Sequence, residues 1–255
     1  MSNPDCPVML PPQRLDDAWT QLPAWMPVPG AGSIAVNAFL RGGAEPLLVD
    51  TGLAALREDF IAALESQVDL AELRWIWLSH TDADHIGNLD AILARAPKAR
   101  VLTNFLGVGK MGLMGLDASR ADMLEMGHEI ELAGTRMKPL RPPYYDAPET
   151  MGFFDIEDGT LFLADSFGAV LPQPVEDFGA IDKESLRDGM QMWAGIDAPW
   201  LADIDPDRFG RTLARIEGLA PRRVLSGHLP AFTGALGDLS GLVRAAAGAA
   251  RRAAA

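Results

Sequence analysis

The chain has 255 residues, 48% of them apolar and 22% charged, which is ample for a buried core, and no apolar run approaches the roughly 18 residues of a membrane helix. Extensive disorder and a membrane span are excluded. Asp and Glu number 35 against 22 Lys and Arg, a net charge of −13 that repels nucleic acid and anionic membranes, and a single cysteine, Cys6, excludes an intrachain disulfide and a Cys-rich metal site.

These features lead us to expect a cytoplasmic protein with neither nucleic acid nor membrane as partner. Met1 to Pro12 has no basic cluster followed by an apolar stretch, so it does not read as a secretory signal and is expected to be a loose arm. We expect one domain over 1–255, with residues 1–30 as an N-terminal arm and 238–255 as a C-terminal helix.

Beyond a Pro-rich stretch from Pro23 to Pro29, the apolar run Ser33 to Leu40, the Gly42-Gly43 turn and Pro46 to Val49 predict a β-hairpin. Leu56, Phe60, Ile61 and Leu64 follow at helical spacing within residues 54–68. Trp75 to Leu78 is a continuous apolar strand, Asp90 to Ala96 is helical with Pro97 beyond it, and Arg100 to Thr103 is another strand. The first half therefore alternates β and α. Gly107 to Met126, rich in Gly and Met, predicts a loop and a short helix. Short strands are expected at 129–132, 137–139, 152–155 and 161–164, then helices at 185–193 and 206–219, a strand at 222–225 and an Ala-rich helix over 239–254.

The chemistry concentrates after the Trp75 to Leu78 strand. Two of the four histidines lie in His80-Thr-Asp82-Ala-Asp84-His85, so four potential metal ligands fall within six residues. A turn leaving a strand can direct His80 and Asp82 to one point and Asp84 and His85 to another, which makes two adjacent metal positions. The competing reading is that Asp82 or Asp84 merely caps the following helix; a cap explains one aspartate and neither histidine.

This motif resembles the metallo-β-lactamase superfamily signature, His-x-His-x-Asp-His, with Asp82 in place of the second His. A carboxylate there is similar to the diiron branch, the flavodiiron proteins and their flavin-free oxygen-binding relatives. Asp50-Thr-Gly52, Asp165-Ser-Phe-Gly168 and Gly227-His228 resemble further family segments in the same order, so the resemblance covers roughly residues 33–232. It implies an α/β fold, the αβ/βα four-layer sandwich with metals where strand-following loops converge. It also implies a ligand set of His80, Asp82 and Asp146 on one metal, Asp84, His85 and His228 on the other, and Asp165 bridging. Asp146, in Tyr144-Tyr145-Asp146-Ala-Pro148-Glu-Thr-Met151, stands where the branch has a His. Its plain alternative is a turn residue before Pro148.

Three His and four Asp move the donor set toward oxygen, which suits iron better than zinc, although manganese shares that preference. Four carboxylates offset two divalent charges, lowering the acidity of a bound water and favouring higher oxidation states. The expected function is therefore a non-haem diiron protein binding or reducing O2 or a related small oxidant. The alternative is a dinuclear zinc or manganese hydrolase of ester, thioester or lactam bonds. The resemblance implies a flavodoxin-like electron-supplying domain after the catalytic one; with the sequence ending at Ala255, no flavin is expected in this chain, a separate electron-donor protein is, and a homodimer is implied. Asp50 is expected to orient a ligand imidazole, with helix capping as its alternative. Tyr144 and Tyr145 adjoin Asp146 and are candidate hydrogen-bond donors toward the metals, with packing as the alternative. His128 is expected to be an exposed turn residue, Trp193 and Trp200 to be buried or to wall the site, and Arg251 and Arg252 to complement the last helix end.

Overall fold

Residues whose apolar side chains run without interruption are strands here because both faces of their sheet are covered. The computed structural model describes residues 6–254, with side chains described through residue 250. Strands β1 (Val8–Met9), β2 (Gln13–Arg14), β3 (Trp19–Val28), β4 (Gly32–Arg41), β5 (Leu47–Val49), β6 (Trp75–Trp77), β7 (Arg100–Thr103) and β8 (Ala121–Met123) build a first sheet. Strands β3, β4 and β5 are antiparallel neighbours, whereas β5 to β8 run parallel. Strands β9 (Ile130–Leu132), β10 (Thr135–Leu140), β11 (Gly152–Asp155) and β12 (Thr160–Phe162) begin the second sheet. Strand β13 (Val170–Leu171) returns to the first sheet beside β4, and β14 (Arg223–Ser226) and β15 (Leu229–Phe232) complete the second, with β14 parallel to β12.

Helices α1 (Arg57–Glu65), α2 (Ala83–Ile86), α3 (Leu89–Arg95) and α4 (Phe105–Leu113) accompany the first sheet, and α5 (Lys183–Asp197), α6 (Pro206–Glu217) and α7 (Leu236–Ala254) accompany the second. Three cores make the layers explicit. Leu48, Ile76 and Val101 pack against Phe60, Leu64 and Ile92 of α1 and α3. Their strand neighbours Leu47, Val49, Trp77 and Leu102 point the other way and meet Met137, Phe153 and Phe162 between the sheets. Leu161 and Val224, on the far face of the second sheet, pack on Met190, Phe209 and Val243 of α5, α6 and α7. The order is helix, sheet, sheet, helix, the αβ/βα four-layer sandwich expected from the sequence.

One expectation needs correction. The described part of the expected N-terminal arm is not loose: β1 pairs with β3 through Val8↔Trp25 and Met9↔Ala24, and β3 pairs with β4 over its whole length. Prolines concealed that strand. The Pro23 carbonyl accepts the Leu10 amide, so the proline nitrogen faces the gap between β1 and β2, where no ladder donor is required. The short helix expected with a loop over residues 107–126 is α4, which starts at Phe105: the Asn104 side chain caps it by accepting the Leu106 and Gly107 amides. The C-terminal helix starts at Leu236, and Arg251 and Arg252 lie outside the residues whose side chains are described.

Candidate metal centre

The carboxyl ends of β5, β6, β12 and β14 meet at one edge of the sandwich, and within three residues of each strand end a polar side chain enters the space between them. Beyond β5 stands Asp50, in the left-handed region at φ 57°. Beyond β6 come Ser79 and His80, then Asp82 at the N-terminus of α2, with Asp84 and His85 in that helix. Asp82 makes no side-chain capping hydrogen bond, and the cap position of α1 is Leu56, so capping explains neither Asp82 nor Asp50. Asp165 follows β12 between two left-handed residues, Ala164 at φ 48° and Phe167 at φ 68°, a strained turn of the kind that holds a functional side chain in place. His228 lies in the turn joining β14 to β15.

All seven expected ligands converge. Ligand atoms of His80, Asp82 and Asp146 lie within 4.8 Å of one another, as do those of Asp84, His85 and His228, and those of His80, His85 and Asp165. Asp165 stands between the two groups: Oδ2 is 3.3 Å from His80 Nε2, and Oδ1 is 3.1 Å from both His85 Nε2 and His228 Nε2. Asp84 Oδ2 approaches His85 Nε2 at 3.4 Å and His228 Nε2 at 3.6 Å, and Asp146 Oδ1 lies 4.0 Å from His80 Nε2.

Each imidazole is held by its other nitrogen. His85 Nδ1 is 2.9 Å from Asp50 Oδ2, His80 Nδ1 is 2.9 Å from Ser79 Oγ, and His228 Nδ1 is 2.7 Å from the Ala35 carbonyl. A carbonyl only accepts, so neutral His228 carries its proton on Nδ1 and turns a lone pair on Nε2 toward the site. Ser79 donates its hydroxyl to Asp50 Oδ2 at 2.8 Å, which leaves its oxygen free to accept from His80 Nδ1. Three Nε2 lone pairs therefore face inward, the arrangement that outer partners impose on metal-binding histidines. The donor set also passes a test of fit: His85 Nε2 and Asp165 Oδ1 are buried 3.1 Å apart, yet neither makes a hydrogen bond. A buried nitrogen and carboxylate oxygen left so close without a hydrogen bond suit a cation that pairs with both.

Supports beyond these residues explain why the turns sit where they do. Asn37, buried in the middle of β4, donates its Nδ2 to the Ser226 and Leu229 carbonyls, and its amide N–H to that of Gly227, fixing the His228 turn. Its signal in the sequence was a lone amide inside the apolar run Ser33 to Leu40. Buried Glu149 accepts Thr81 Oγ1 at 2.8 Å and Lys110 Nζ at 2.6 Å; burial opposes its ionisation, and these two donors outweigh it and hold the carboxyl below its usual range. Trp193 packs on His228 with ring centroids 4.5 Å apart and donates Nε1–H to the Asp165 carbonyl at 3.0 Å. Gly168 permits this, since a Cβ there would lie 2.6 Å from both Trp193 and His228.

The two tyrosines are engaged elsewhere. The Tyr144 hydroxyl accepts the Phe167 amide, and burial drives its pKa upward. Tyr145 lies against Arg141 and Trp200, whose Nε1–H donates to the Tyr145 carbonyl. His128 is exposed, as expected, beside Glu125. A carboxylate not anticipated, Asp197 at the end of α5, comes within 4.8 Å of Asp146 and Asp165.

Without a cation the site holds protons. Burial pulls His85 and His228 toward the neutral form, but the surrounding carboxylates of Asp84 and Asp165 outweigh it and hold both imidazoles above their ordinary value. Burial, reinforced by the Asp165 charge, pushes Asp197 up to about 8. A raised imidazole stabilises the fold fully below roughly pH 6.5 and loses that contribution as pH climbs through its folded value. Asp197 acts in the same direction, because the unfolded chain ionises first, between 3.8 and about 8. The depressed Asp84 and Asp165 contribute only above about 3.8, so they are constant across this window. The metal-free protein is expected to melt at a lower temperature at about pH 8.5 than at about pH 6, and the metal-loaded protein to lose that trend because cations replace the protons. Thermal unfolding at both pH values with and without metal checks this; a metal-free melting temperature that rises with pH contradicts it.

Comparison with known proteins agrees with this geometry. Residues 34–195 match the family described as ODP family beta lactamase. The type A flavoprotein fprA of Rhodobacter capsulatus is 29% identical over 143 residues, 54% of this chain and 33% of that protein. A substituted flavo di-iron protein from Thermotoga maritima superposes with a TM-score of 0.79 at 20% identity, covering 95% of this chain and 62% of that one. Rubredoxin oxygen:oxidoreductase from Desulfovibrio gigas gives 0.78 at 17% identity, covering 92% and 60%. At such identities the structural likeness establishes the fold, and this chain spans less than two thirds of the length of each relative.

Proposed function

The chain belongs to the ODP family of beta-lactamase-fold proteins, matched over residues 34–195, and from that premise we propose that it is a non-haem diiron protein that binds or reduces O2 or a related small oxidant. One observation carries this reading: Asp165 turns one oxygen toward His80 and the other toward His85 and His228. A carboxylate divided in that way is suited to bridge two cations. In this assignment His80, Asp82 and Asp146 hold one ion and Asp84, His85 and His228 the other. The Thermotoga relative is a flavo di-iron protein and the Desulfovibrio relative a rubredoxin oxygen:oxidoreductase, which supports iron and O2.

Iron held by these residues would supply redox chemistry toward the oxidant. The chain's own residues do the rest. Asp50, Ser79 and the Ala35 carbonyl keep three Nδ1 protons in place, so every imidazole presents Nε2 and none needs to reorient on binding. Trp193 shields His228 from water. Four aspartate ligands place negative charge around the ions, which stabilises the oxidised state and weakens the acidity that a hydrolase would need for its water. The hydrolytic alternative is disfavoured on that account. In this reading a separate protein delivers the electrons, the chain acts in the cytoplasm as a homodimer, and residues 1–255 work as one domain. Among the described residues no helix is long and apolar enough to cross a membrane.

Purification without added metal and without oxygen tests the proposal. About two irons per chain and an absorption change on admitting air are expected. Stoichiometric zinc with no response to air contradicts it.

A further inference from the structure

Asp197 is the last residue of α5, and its position is costly on every local count. A helix carboxyl end is the negative end of the macrodipole, where an acid is disfavoured, and the last turn of α5 has no basic residue to offset it. The side chain is turned inward, and its Oδ2 is buried with no hydrogen-bond partner. Its near neighbours are also acids: ligand oxygens of Asp146, Asp165 and Asp197 lie within 4.8 Å of one another. The Asp165 side chain is only 3% exposed, and its Oδ1 likewise makes no hydrogen bond. Three carboxylates brought so close in a buried place repel one another unless a proton or a cation sits among them, and the proton that the metal-free site holds is what a bound cation displaces.

We propose that Asp197 is an additional ligand of the cation on the Asp146 side of the site, so that the dinuclear centre is held by eight side chains, five of them carboxylates. The assignment rests on the dinuclear reading above and adds a residue to it. It has a chemical reason. Asp146 offers a shorter reach than an imidazole and is partly exposed, with 28% of its side chain open to solvent. A second acid entering from α5 completes a coordination shell that Asp146 closes only in part. Five carboxylates also favour hard, highly charged ions over zinc.

Anaerobic titration of the full chain with ferrous iron alone, read as ions bound per chain and affinity for each, tests this with Asp197→Asn and Asp197→Ala beside the unaltered protein. The unaltered chain is expected to take two ions. Both variants are expected to keep one at full affinity and to bind the other roughly 10- to 100-fold more weakly, the size of effect that loss of a supporting group has at metal sites. Two ions at unaltered affinity in folded variants overturn the assignment of Asp197 and leave the dinuclear reading intact. An unaltered chain that holds fewer than two overturns both. Should the variants not fold, anomalous diffraction from iron-loaded crystals of the unaltered chain decides: an Asp197 oxygen at roughly 2.0–2.2 Å from the ion supports the assignment, and one out of contact overturns it.

Discussion

Replacing Asp165 by Asn is expected to abolish paired metal binding while leaving the fold in place. The substituted amide keeps the shape of the carboxylate but presents an N–H2 group, which cannot act as a ligand, to one of the two sides. Loss of a mere outer partner costs about 10- to 100-fold in affinity, and loss of the shared ligand should exceed that at both positions. The turn should survive, because what anchors it is backbone: Trp193 bonds the Asp165 carbonyl, the Gly168 amide bonds the same carbonyl, and the Tyr144 hydroxyl accepts the Phe167 amide. Metal analysis after anaerobic reconstitution, with circular dichroism to establish folding, measures it. A folded variant that retains both ions would show that Asp165 does not bridge.

The second large effect is expected at Asp50, which touches no proposed metal and yet supports two ligands. Its Oδ1 accepts the Ser79 amide at 2.8 Å, and its Oδ2 accepts both the Ser79 hydroxyl and His85 Nδ1. Asp50→Ala leaves these buried donors without an acceptor, at about 1–3 kcal/mol for each group left unsatisfied. In a chain of this size each kcal/mol lowers the melting temperature by roughly 2–4 °C. The same change frees His80 and His85 to rotate, so metal affinity should drop about 10- to 100-fold. Asp50→Asn retains the acceptor for the Ser79 amide and should recover most of the stability but not the affinity. Melting curves and metal titrations on both variants separate the two roles; equal affinity in all three proteins would reduce Asp50 to a structural residue.

Much of this centre was legible because its residues are punctuated by their strands. Leu47 to Val49, Ile76 and Trp77 are buried on both faces, so their strands are written as unbroken apolar runs, and the first polar residue after each run, Asp50 or Ser79, marks the strand's carboxyl end. The His80 to His85 motif lies in one such place. Ligands far apart in sequence, Asp146, Asp165 and His228, had no local signal strong enough by themselves and came from an ordered resemblance along the chain.

Other parts stayed hidden for physical reasons. Strand β3 carries Pro23 and Pro27, which argue against a strand unless the neighbouring edge is known to have a gap. Helix α4 contains Gly107, whose missing Cβ lets the helix close on Thr103: an added Cβ would lie 2.1 Å from Thr103 Oγ1. Nothing in a one-dimensional pattern separates a packing glycine from a flexible one. Asp197 belonged to a helix end with no motif, and the packing of α5 against β13 and α7 carries it to the site. Its single sequence clue, an acid at the wrong end of a helix dipole, is weak until that packing is known.

Anomalous diffraction at the iron edge from crystals grown without oxygen is the most direct test of the central claim. Two peaks roughly 3.5–4 Å apart, with one oxygen of Asp165 on each, are the predicted result. A single peak among Asp84, His85 and His228, with His80 and Asp146 free of metal, would contradict it.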